Sequence, residues 1–78
     1  MWDEKLVIFG HKVRELRKNE GLSQEAMETL VRADRSYMGR IERGKKNIPL
    51  TKIYQISEAL GIEVADLFPR TVTPSVSS

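Results

Sequence analysis

Cysteine is absent from these 78 residues and histidine occurs once, as His11. No disulfide framework, thiolate ligand or cysteine nucleophile can form, and one imidazole cannot assemble a histidine metal site. The expectation is a reducing, cytoplasmic setting with no metal or other cofactor. Also lacking is any apolar run near the roughly 20 residues that span a bilayer. The opening MWDEKLVIFGHK carries acids where a secretory signal needs positive charge, so neither membrane insertion nor processing is expected. Catalytic constellations are missing too. Glu15, Glu25, Glu58, Glu63 and Asp66 are scattered, and no serine has a neighbouring base, so neither an enzyme nor a small-molecule substrate is expected.

A chain this short forms one compact unit and buries only about 60% of its unfolded surface, so a partner subunit would help it. The formal net charge is only +2. Its distribution is uneven, however: between Arg32 and Lys46 stand Arg32, Arg35, Arg40, Arg43, Lys45 and Lys46 against Asp34 and Glu42. A polyanion would meet that local excess, although a merely solvated charged face would look the same by charge alone.

Apolar spacing divides the chain into helices. Leu6, Phe9, Val13 and Leu16 recur every three or four residues, which predicts a first helix from about Asp3 to Glu20 with Gly21 as its left-handed cap. Gly10 inside it implies either close packing or a frayed first turn. Ser23 is suited to cap a second helix ending near Val31, with Met27 and Val31 joining Leu22 in the core. A three-residue turn with Arg32 and Ala33 leads to a third helix, expected from Arg35 to about Arg43, capped by Asp34 and stopped by Gly44. Pro49 fits the start of a fourth helix to Leu60, and a short fifth is expected over Val64 to Phe68, before Pro69. Residues 69–78 are rich in Pro, Ser and Thr and read as a disordered tail, leaving 1–68 as the folded domain. The fold class is therefore all-α with five helices.

The third helix carries the chemistry. At about 100° per residue, Met38 and Ile41 oppose an arc holding Arg35, Ser36, Gly39, Arg40 and Arg43. Such a helix can press its apolar face into the domain and offer the other to base edges and phosphates of a DNA major groove. Arg35 is the first choice for base readout, since a guanidinium can bond guanine bidentately, and Ser36 is the second. Arg43, two turns on, is assigned to phosphate. Gly39 would let the axis approach the groove floor, or is simply tolerated. Tyr37 lies on the boundary, where its hydroxyl either reaches a phosphate or only packs. Gln24, opening the second helix, faces a backbone phosphate or is an ordinary exposed first-turn residue.

LSQEAMETLVRADRSYMGRIERGKKN resembles the helix-turn-helix of the Cro/CI-like (Xre) repressors, and DRSYMGRIERGKKNI is closer still to the controller proteins of restriction-modification systems. The resemblance covers about residues 5 to 68. It implies a lambda-repressor-like, two-fold symmetric dimer that binds a pseudo-palindromic double-stranded DNA operator and regulates its own transcription, with RNA polymerase as a further candidate partner. Positions matching Arg35, Ser36 and Lys46 then approach bases, and those matching Gln24, Tyr37, Arg43 and Asn47 approach the backbone. It also implies an ion pair between Arg17 and Glu42. The last two helices hold more large apolar residues than a small core encloses, and the resemblance places the dimer contact there, on Leu50, Ile53, Tyr54, Val64 and Phe68. A phage-type repressor or an antitoxin would share this head, and a helical protein-interaction module that has lost DNA binding is the alternative of another class. Two residues depart from the family pattern. Glu28 stands where Ala is usual and is expected to bend its stem outward; Arg32 stands where Gly is usual and is expected to accept a positive φ at a cost of about 1 kcal/mol.

Overall fold

Four α-helices and a single 3-10 turn follow one another in the computed structural model, which describes residues 3–68: α1 Glu4–Asn19, α2 Gln24–Leu30, α3 Tyr37–Glu42, α4 Leu50–Leu60, and the 3-10 turn Val64–Leu67. No strand occurs among the described residues. The expected tail, residues 69–78, lies outside them. The fifth helix of the sequence reading is corrected to this 3-10 turn. It is closed by a reciprocal capping box between Glu63 and Asp66, and its four residues are too few to build an α-helical ladder.

Two helix starts carry side-chain caps, the expected one at Ser23 and a further one at Asp3. The Asp3 carboxylate accepts from the Lys5 N–H at 2.8 Å and the Ser23 hydroxyl from the Ala26 N–H at 3.0 Å. Helix ends are more uniform. At each α-helix a residue in the left-handed region follows the last turn, and the next N–H returns to a carbonyl five positions back: Leu22 to Arg17, Ala33 to Glu28, Lys45 to Arg40 and Ile62 to Ser57. Gly21, Gly44 and Gly61 supply that conformation at three ends, while Arg32 supplies it at the end of α2 with φ of 57°.

The core is formed by Phe9, Val13, Met27, Val31, Met38, Ile41, Ile56, Leu60 and Leu67, all buried. Helix α1 lies directly on α3, and Gly10 is the point of closest approach. A Cβ there would collide with the Ile41 carbonyl oxygen and sit 2.9 Å from that of Glu42. Of the two sequence readings of Gly10, close packing is therefore the one observed. Helix α2 packs on α3 and α4, and the Lys52 ammonium of α4 donates to the Val31 carbonyl at 2.7 Å, closing the C-terminal end of α2. The 3-10 turn packs on α4 and on α1, with the Phe9 and Phe68 rings 5.1 Å apart and tilted by 40°.

Candidate nucleic-acid interface

Helix α3 is shorter than expected, and the difference relocates two site residues. Ser36 is not on the helix but just before it, in the left-handed region with φ of 71°, and its side chain makes no capping bond. Arg35 lies in the preceding turn, which the Tyr37 N–H closes on the Asp34 carbonyl at 3.2 Å. Asp34 is therefore not the side-chain cap of this helix. That role falls to Glu28, whose carboxylate crosses from α2 and accepts from the Met38 N–H at 3.0 Å. The expectation that Glu28 bends outward is overturned: the residue is 5% exposed. A carboxylate at the N-terminal end of a helix satisfies an orphan donor and favours the helix dipole, which makes this burial tolerable.

Behind the interface, α3 is anchored on its other flank. Arg17 donates through Nε to Glu42 Oε2 at 2.7 Å and through Nη2 to Glu42 Oε1 at 3.1 Å, a two-pronged pair with both side chains almost wholly buried. Its third nitrogen donates to the Leu22 carbonyl at 2.7 Å, so one guanidinium holds the end of α1, the entry to α2 and the end of α3 together. Gln24 adds its amide to Glu42 Oε1 at 3.0 Å.

With Met38, Gly39, Ile41 and Glu42 buried, α3 and the turn before it expose Arg35, Ser36, Arg40 and Arg43, with Asp34 as the one exposed acid in that stretch. The Arg35 side chain is 90% exposed and lies 3.8 Å from the Glu25 carboxylate, whose side chain is 79% exposed, a weak pair that a ligand can replace. Gly39 is not on the open surface as the wheel suggested, because the Arg43 guanidinium lies across it; a Cβ there would come within 3.2 Å of Arg43 Nη1. Lys46 is half-buried, its ammonium 5.7 Å above the Tyr37 ring, and Asn47 is exposed beside it. The Tyr37 hydroxyl is enclosed by protein without a protein partner, and burial raises its pKa above the usual phenol value. The backbone-phosphate role for that hydroxyl is thereby corrected: the ring packs and its oxygen points inward.

Two features bear no signal in the residue spacing. One hollow gathers His11 and Arg14 of α1 with Gln24, Gly39, Glu42, Arg43 and Lys45. The other is the Glu28 cap, whose only sequence hint is that Glu28 borders the apolar stripe of Met27 and Val31. A separate groove of about 340 Å³ is lined mainly by Leu6, Ile8, Phe9, Ile48, Ile53 and Phe68, with Asn47 also at its wall. Leu50, Tyr54 and Phe68 are 65%, 51% and 47% exposed, whereas Ile53 and Val64 are half-buried. Ile8 of α1, exposed at the same groove, was not among the expected interface residues.

A helix-turn-helix domain family matches residues 8–67 of this chain. The chain belongs to the helix-turn-helix family. Among its relatives are restriction-modification control proteins. It is 43% identical to Control protein C.MunI of Mycoplasma over 80% of this chain and 85% of that one, and 39% identical to Control protein C.BamHI of Bacillus amyloliquefaciens over 83% and 82%. The crystal structure of the restriction-modification controller protein C.AhdI from Aeromonas hydrophila superposes with a TM-score of 0.82 at 47% identity, over 85% of this chain and all of that one. The matched stretch runs from α1 through the 3-10 turn and so takes in α2, the turn through Arg35 and Ser36, and α3. No helix among the described residues is long and apolar enough to cross a membrane.

Proposed function

We propose that this chain is a sequence-specific DNA-binding transcriptional regulator, and that it acts as the controller of a restriction-modification system. One observation carries the reading: the turn and α3 expose Arg35, Arg40 and Arg43 while Met38, Ile41 and Glu42 lock the opposite face into the core. Kinship with the control proteins supports the narrower role.

In this reading the α3 end of the domain enters a major groove turn first. Arg35, at the leading edge and almost fully exposed, reads bases, and Ser36 and Lys46 flank it. Gln24, Arg40, Arg43 and Asn47 hold the backbone, fixing register without reading sequence. Two copies join through the apolar surface of Leu50, Ile53, Tyr54, Val64 and Phe68, so that their heads stand about 34 Å apart and select a pseudo-palindromic operator. The operator lies at the protein's own promoter, and occupancy follows the concentration of the dimer.

The decisive comparison is Arg35→Ala against Arg43→Ala in competition binding between operator and scrambled duplexes. Arg35→Ala narrows the preference for operator by about 10-fold, the value of one lost bidentate contact, while Arg43→Ala weakens both duplexes alike. Equal narrowing by both variants would overturn the division of labour.

A further inference from the structure

The hollow between α1 and the end of α3 is not explained by the groove-reading surface. It is lined by His11, Arg14, Gln24, Gly39, Glu42, Arg43 and Lys45, and only one of these side chains is acidic. That acid is already occupied. Both oxygens of Glu42 accept from Arg17, and Oε1 also accepts from Gln24, so the carboxylate is neutralised from behind and has little charge left to repel an anion. Glu15, one position beyond Arg14, lies 3.8 Å from Lys12. The hollow therefore presents the Arg14 and Arg43 guanidinium groups together with the His11 imidazole.

Gly39 shapes it. Its missing side chain lets the Arg43 guanidinium lie back across α3 toward Gln24; a Cβ would stand 3.2 Å from Arg43 Nη1 and 3.8 Å from Gln24 Oε1. We infer that this hollow is a seat for one DNA backbone phosphate, with Arg14 and His11 of α1 as phosphate-binding residues and Gly39 as the residue that positions Arg43. The inference rests on the DNA-binding reading above and adds to it a contact from the first helix. Its ligand chemistry is a phosphodiester, bound for its charge and its oxygens and blind to the base attached.

The test is fluorescence anisotropy on a random-sequence duplex between 50 and 200 mM salt. Arg14→Gln, at an exposed side chain, should make the slope of log K against log salt shallower by about 0.9, the loss of one phosphate contact, with base preference unchanged. Gly39→Ala should lower affinity by less than Arg43→Ala does, and adding it to Arg43→Ala should lower affinity little further, because it acts only by shifting that guanidinium. Thermal melting of each variant verifies that the fold is retained. A steep wild-type slope that Arg14→Gln leaves unchanged, or independent effects of Gly39→Ala and Arg43→Ala, would overturn the phosphate seat alone. A wild-type affinity that ignores salt would overturn the DNA-binding reading and the seat with it.

Discussion

Single side chains do much of the positioning in this domain, and the most consequential are those that point inward. Tyr37 is an example. Its ring supports Lys46, but its hydroxyl is enclosed without a protein partner, so removing the oxygen should cost nothing. Tyr37→Phe is expected to leave duplex affinity unchanged and stability equal or higher by about 1 kcal/mol. The pH dependence gives a sharper readout. Burial raises the folded-state pKa above that of the unfolded chain, so the neutral phenol's contribution is complete below about pH 10. It is lost as pH rises from there through the raised folded value. Alkaline urea titrations should therefore show wild type losing more stability than Tyr37→Phe above that point. Parallel loss in the two proteins, or weakened DNA binding by the variant, would restore the hydroxyl to the surface.

Elements here are defined by their ends, and this explains what could be read in advance. Ser23, Gly21, Gly44 and Gly61 are local signals, each acting within a few residues, so the start of α2 and the ends of α1, α3 and α4 were legible from spacing and caps. The positive φ of Arg32 was expected on other grounds, the family resemblance, which usually places Gly at that position. The start of α3 was not legible. It depends on Glu28, ten positions earlier, reaching across to the Met38 N–H, and this long-range bond outcompetes the local cap expected of Asp34. With the N-terminal donor satisfied from α2, Ser36 is freed to turn left-handed, and Arg35 moves from the helix face to its leading edge. Glu28→Ala leaves a buried N–H unpaired and is expected to cost about 1–3 kcal/mol in urea unfolding, while Glu28→Gln, which keeps an acceptor, should cost clearly less. Equal costs for the two would show that the carboxylate does not act as the cap.

At the scale of the molecule, the domain has two unlike surfaces. One exposes guanidinium groups around α3, backed by the buried Arg17 and Glu42 pair; the other surface is apolar, with Leu50 and Tyr54 exposed on α4 and Ile8 and Phe68 exposed at the apolar groove. An excess of apolar side chains on the last two helices was legible in the sequence, but the exposure of Ile8 on α1 was not, because Ile8 falls outside the stripe that packs the core. The proposed dimer requires that second surface. Leu50→Glu, at a residue too exposed to matter for the core, is expected to shift sedimentation to the monomer and to lower affinity for a two-half-site duplex far more than for a half-site. An unchanged sedimentation profile would place the subunit contact elsewhere. The α3 end carries the central claim, and the wild-type protein tests it most directly. Measured against rising salt, its affinity for duplex DNA should fall along a line whose slope corresponds to several neutralised phosphates, about −0.9 for each. A flat line, or no duplex binding even at low salt, would contradict the account.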